Sequence, residues 1–134
     1  MQDKPFTTQM TVRVGDVNYG GHLGNDTVLL YFQEARVRFL AHLGLSEMNI
    51  GDGISITQIE SFVQYKAEAF MGEILTITVV PQEAGKLKFK LAFKIERDKD
   101  NKLIAQGYTE HAGFDYTARR LAKIPETFQA IFTL

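Results

Sequence analysis

The sequence contains no cysteine, which excludes disulfides, thiol nucleophiles and thiolate metal sites together. It has no tryptophan and three prolines in 134 residues, so few positions forbid regular backbone structure. No stretch approaches the roughly 18–20 apolar residues that cross a bilayer. Neither sign of charge dominates: 15 Lys and Arg stand against 16 Asp and Glu, a formal net charge of −1. That balance removes the electrostatic reason to expect nucleic acid or an anionic membrane as partner. Met1 to Phe6 carries Asp3, Lys4 and Pro5 where a leader would carry an apolar run. The expectation is a cytoplasmic protein whose residues 1–134 form one domain, large enough for a real core.

What is present is periodic. Over Thr7–Gly15, Thr8, Met10, Val12 and Val14 alternate with Gln9, Thr11 and Arg13, which predicts a strand. Asp16 to Gly24 is a glycine-rich loop, with Gly20, Gly21 and Gly24 inside five residues. Asn25 or Asp26 is placed to cap a helix running to about Leu43, where Gly44 stops it. Its apolar residues Val28, Phe32, Ala35, Phe39 and Leu43 recur every three or four positions, and Leu29, Val37 and Leu40 broaden the stripe. Strands follow at Ile54–Tyr65, Glu73–Pro81, Lys86–Arg97 and Leu103–Tyr116, with a hairpin turn at Asp98–Asn101. Pro125–Phe132 predicts a short terminal helix with Pro125 at its start. One long helix wrapped by a curved antiparallel sheet of about five strands is an α+β arrangement. A single sheet with one helix leaves a face or edge to cover, so a homodimer or homotetramer is expected.

The loop Val14-Gly15-Asp16-Val17-Asn18-Tyr19-Gly20-Gly21-His22-Leu23-Gly24-Asn25, followed by Glu34-Ala35-Arg36, resembles the signature of the 4-hydroxybenzoyl-CoA thioesterase-like branch of the hotdog-fold acyl-CoA thioesterases. Ala67-Glu68-Ala69-Phe70-Met71-Gly72-Glu73 is similar to that family's connection between its second and third strands. Gly113-Phe114-Asp115 and Ile124-Pro125 resemble its final strand and exit. The resemblance implies a hotdog fold and hydrolysis of acyl-CoA or acyl-carrier-protein thioesters without metal or organic cofactor. It also implies a site at a subunit interface, beside the helix N-terminus.

Such a site needs donors aimed at the carbonyl oxygen, where negative charge develops. Free amides at a helix N-terminus supply them, and the resemblance assigns the oxyanion amide to Asn25; the Asn25 side chain alternatively caps the helix. Hydrolysis also needs a carboxylate as base or nucleophile. The resemblance places an aspartate four residues before His22, and that position holds Asn18. Three explanations stay open. In the first, Asp16, two residues earlier on the same face of an extended chain, acts while Asn18 orients the water or the thioester carbonyl, although an Asp there also closes loops. Glu34 lies on the helix, where it alternatively pairs with Arg38 at i+4. In the third, catalysis is weak or lost and the protein binds acyl-CoA or an acyl carrier protein.

His22 shapes the loop in the family, and a base role is its alternative. His42 sits at the favourable end of the helix dipole, and His111 in a strand reads as a core or interface histidine. These three lack the spacing of a metal site. The resemblance puts the acyl group against Tyr31, Phe32, Phe62 and Tyr65, and CoA phosphates near Lys66, Arg119 and Arg120; a solvated sheet edge also carries such cations.

Overall fold

The computed structural model describes residues 5–133. Most of the segment read for a leader therefore lies outside the described residues. The elements are β1 (Phe6–Thr11), α1 (Asn25–His42), β2 (Ser55–Tyr65), β3 (Ile74–Ala84), β4 (Lys88–Arg97), β5 (Leu103–Asp115), β6 (Arg120–Ala122) and α2 (Glu126–Ala130). The strands form one antiparallel sheet in the order β1-β3-β4-β5-β2, with the three-residue β6 paired to β5. This is the arrangement expected from the sequence, with β6 as the strand its periodicity did not reveal.

Alternation dictates the sheet's two faces. Phe89, Leu91, Phe93 and Ile95 of β4 are all buried, while Lys88 and Lys94 point to the opposite, exposed face. The buried face receives α1 through Val28, Tyr31, Phe32, Ala35, Phe39 and Leu40. Phe32 stacks on Phe93 with ring centroids 4.6 Å apart and planes within 10°. Each such ring buried contributes about 2–3 kcal/mol by area alone. Val37 and Leu43, read as part of the stripe, stay at least one-third exposed, because the helix is covered from one side.

Element ends differ from the sequence expectation for local reasons. β1 ends at Thr11, because a 3-10 turn (Val14–Asp16) follows in which the Asp16 amide donates to the Arg13 carbonyl at 2.9 Å. Val14 is consequently exposed, breaking the alternation. The cap of α1 is Gly24, in extended conformation, and not Asn25 or Asp26. A Cβ at Gly24 would come within 2.7 Å of Asp26 Oδ1, so glycine leaves that carboxylate room. At the other end Gly44, at φ +77°, carries the reversal that lets the Leu45 amide bond the Leu40 carbonyl. β3 runs past Pro81 to Ala84 by shifting register between Pro81 and Glu83, the bulge through which a strand accommodates a missing donor. Pro125 caps α2 rather than opening it, and a 3-10 turn (Ile131–Thr133) ends the described chain.

β2 is the outer strand on its side, bonded only to β5. Beyond Ile56, from Thr57 to Tyr65, none of its residues is buried. The β2–β5 contact is close at Gly107, where an added Cβ would overlap the Phe62 carbonyl. Gly107→Ala is therefore expected to lower stability by about 2 kcal/mol or more, read as a drop in thermal midpoint; an unchanged midpoint contradicts the packing described.

Candidate active site

The loop before α1 is built on Asn18. Its side-chain oxygen accepts the Gly20 amide at 2.9 Å, and its carbonyl accepts the Gly21 amide at 2.9 Å. The Asn18 amide closes the loop on the His22 carbonyl at 3.0 Å. Gly21 sits at φ +86°, where a side chain would be strained. A Cβ built at Gly20 lies 3.1 Å from Asn18 Oδ1 and 3.3 Å from His22 Nε2, which puts the Asn18 amide group beside the imidazole. The loop is then stitched to the segment after β2. Leu23 donates to the Ala69 carbonyl at 2.7 Å, and His22 and Phe70 form a bridge with their rings edge to face.

This seam presents the N-terminus of α1. The Thr27 amide bonds the Gly24 carbonyl, and among the described residues the Asn25 and Asp26 amides meet no acceptor. Beside them is a cavity of about 370 Å³ lined by His22, Asn25, Val28, Tyr65, Lys66 and Glu68 among others. Tyr65 donates its hydroxyl to the Asn25 carbonyl at 3.2 Å, tying the end of β2 to the first turn of the helix. Among the described residues Glu68 is the one carboxylate lining this cavity, and its Oε2 lies 3.5 Å from His22 Nε2. Asn25 of the helix's first turn, an imidazole, a lysine and a carboxylate thus line one space, with the Asp26 amide next along the helix, a set able to hold a carbonyl oxygen and an activated water.

Asp16 and Glu34 are on the other flank of α1. They line a separate cavity of about 390 Å³ with Thr27, Tyr31 and Arg38, next to β1. The Asp16 carboxylate accepts the Tyr31 hydroxyl at 2.6 Å and the Arg13 amide at 3.0 Å, and is buried. Burial alone would push its carboxyl up, but the Tyr31 and Arg13 hydrogen bonds and the Arg13 charge outweigh it and hold the pKa below the usual carboxylate range. Burial first, then the bond to Asp16, raises the Tyr31 hydroxyl. Glu34 pairs with Arg38 at 2.9 Å, and Arg38 reaches on to the Thr8 hydroxyl and the Gln9 carbonyl, clamping β1 to the helix.

Residues 12–132 match the thioesterase-like superfamily. The chain belongs to that superfamily. A 1,4-dihydroxy-2-naphthoyl-CoA hydrolase from Nostoc punctiforme is 24% identical over 123 residues, covering 90% of this chain and 82% of the relative. Among solved structures, a 1,4-dihydroxy-2-naphthoyl-CoA thioesterase from Synechocystis is 22% identical with a TM-score of 0.86, covering 97% of this chain and 96% of that one. A Staphylococcus aureus protein solved in complex with CoA is 20% identical, also with a TM-score of 0.86, covering 99% of this chain and 84% of that one. At these identities the structural likenesses establish the hotdog fold.

Within this thioesterase-like fold the remaining residues singled out from sequence are dispersed. Phe62 faces away from α1: its ring stacks on Tyr108 at 5.6 Å, on the same outer surface as Lys94 and Ala92. The β-bulge between Gln58 and Glu60 sets this, since one inserted residue turns those after it to the opposite face. Arg119 occupies the turn between β5 and β6, at the Ser55 end of β2 and so about 30 Å along the strand from Tyr65. His42 packs its ring on Phe6 at the end of α1. His111 is buried against Phe89, with Nε2 2.8 Å from the Thr109 hydroxyl. Burial and then the nearby Arg36 charge push its pKa down to about 3, which keeps it neutral. Glu68 was not singled out: in sequence it is a lone charge between alanines, and only the seam brings it to His22.

The Asp16–Tyr31 bond predicts a pH signature. A depressed carboxyl stabilises fully above about pH 4, its unfolded value, and loses that contribution as pH falls below this through the lower folded value. A raised phenol stabilises fully below about pH 10 and loses its contribution as pH rises beyond it. Tyr31→Phe is expected to cost about 1–3 kcal/mol near neutrality and to flatten the stability profile at both extremes in denaturant titrations. An unchanged profile contradicts the pairing.

Proposed function

We propose that the protein is an acyl-CoA thioesterase, hydrolysing a thioester to a carboxylic acid and the free thiol of CoA. The observation that carries this reading is the pair of unpartnered amides in the first turn of α1, Asn25 and Asp26, of which Asn25 lines a cavity together with His22, Lys66 and Glu68. Their hydrogens and the helix dipole, equivalent to roughly half a positive charge at this end, meet the oxygen on which charge grows. An oxyanion donor of this kind is worth about 3–4 kcal/mol of barrier. Membership of the thioesterase-like superfamily supports the reaction class. CoA is favoured over a carrier protein as donor, because two similar proteins are named for CoA thioesters and a third was solved with CoA. Lys66 is the cation in the cavity able to meet a CoA phosphate.

The reading includes one domain over residues 1–134, a cytoplasmic location and a homodimer or homotetramer. No described helix is long and apolar enough to cross a membrane. The outer edge of β2 is an 11-residue template for pairing, flanked by Ile59, Phe62 and Tyr65, each about half exposed. A two-fold axis through that edge pairs two β2 strands antiparallel. Such pairing sets the Ser55 end of one strand near the Tyr65 end of the other. Arg119 and Arg120 then reach the cavity from a second copy of the chain, as a basic rim that one chain alone does not assemble.

The test is release of free thiol from short, medium, long and aromatic acyl-CoAs, with light scattering on the same sample. Turnover by a dimer or tetramer is expected. Saturable acyl-CoA binding without turnover supports the binding-protein alternative, and a fully active monomer contradicts the assembly.

A further inference from the structure

Asn18 stands where the fold's relatives are expected to carry a carboxylate, and an amide takes no proton from water. The carboxylates that sequence reasoning offered in its place, Asp16 and Glu34, are bonded to Tyr31 and Arg38 on the far flank of α1. We propose that Glu68, oriented by His22, is the base that activates water in this protein, reaching from the segment after β2 the cavity at the first turn of α1. The assignment rests on the thioesterase reading above.

Three observations meet at Glu68. It lines the cavity at Asn25 of α1, and among the described residues no other carboxylate does. His22 Nε2 is 3.5 Å from its Oε2, and the same ring lies against Phe70 and beside Asn18. Its backbone is fixed from behind: the Glu68 carbonyl accepts Arg97 at 3.2 Å, and Arg97 also bonds Glu73 at 3.0 Å. Glu73 in turn accepts the Phe70 amide at 2.9 Å, and the Lys66 and Ala67 amides both bond the Ile104 carbonyl. A side chain that remains 63% exposed is therefore carried on a braced segment, an arrangement that leaves it open to water while holding its position.

A water donates one proton to a Glu68 oxygen while its oxygen lone pair forms the bond to the thioester carbon. The carbonyl π pair moves onto oxygen and is held by the Asn25 and Asp26 amides. Collapse restores the C=O bond and breaks C–S. The departing thiolate takes the proton from Glu68, giving CoA thiol and a carboxylic acid. His22 and Arg97 are positioning residues in this scheme.

The test compares wild type, Glu68→Gln and Glu68→Asp by thiol release across pH, with melting temperature and oligomeric state measured in parallel. Glu68→Gln is isosteric and exposed, so folding is expected to be unchanged. Its kcat is expected to fall by about 10²–10³-fold with KM within about threefold, and the acidic limb of the kcat profile is expected to disappear. Glu68→Asp is expected to retain that limb at reduced rate. A kcat for Glu68→Gln within about threefold of wild type overturns the assignment, and so does an acidic limb that persists in it. Absence of turnover in wild type itself fails the thioesterase reading instead.

Discussion

The short antiparallel seam between the loop ahead of α1 and the segment after β2 is the contact on which the candidate site depends. Its centre is one hydrogen bond, Leu23 amide to Ala69 carbonyl at 2.7 Å, flanked by the His22–Phe70 bridge. Without the seam, a helix resting on a sheet has a solvated N-terminus and no enclosure. With it, the first residue of α1, an imidazole and a carboxylate from segments more than forty residues apart share one space. The seam is braced in turn by Arg97, which ties β4 to Glu68 and Glu73. Sheet packing and site geometry are thus mechanically linked.

The two flanks of α1 divide their work. Toward β1, Asp16–Tyr31 and Glu34–Arg38 fasten the helix, and their charges are spent on partners within the protein. Toward β2, polar groups of the loop before α1 and of the segment after β2 line open space. A charged group consumed by internal hydrogen bonds stabilises a fold, whereas one facing a cavity at a helix N-terminus is available for chemistry. That distinction separates Glu68 from Asp16 more sharply than chain position does.

The fold was legible because its signals are local and repeated. The period of two through Phe89, Leu91, Phe93 and Ile95 and the helical spacing of Val28, Phe32, Ala35 and Phe39 need no partner to be read. The helix N-terminus was legible too, through the glycines that make room for the loop, although Gly24 took the capping place expected of Asn25. The proposed carboxylate, Glu68, was not. Proximity of Asp16 to Asn18 in the chain is cancelled by the 3-10 turn, which points Asp16 at Tyr31, and proximity of Glu68 to His22 exists only through the seam. The side of the sheet on which Phe62 lies hinges on the bulge between Gln58 and Glu60, and one inserted residue leaves no periodic mark in so short a strand.

The central claim is that the amides of Asn25 and Asp26 receive the thioester oxygen. A crystal structure with a non-hydrolysable acyl-CoA analogue that retains the carbonyl tests it directly. The account predicts that oxygen about 3 Å from the Asn25 or Asp26 amide nitrogen, with the Glu68 carboxylate on the open face of the carbonyl carbon. A carbonyl bound beside Asp16 and Glu34, on the β1 flank of α1, would contradict it.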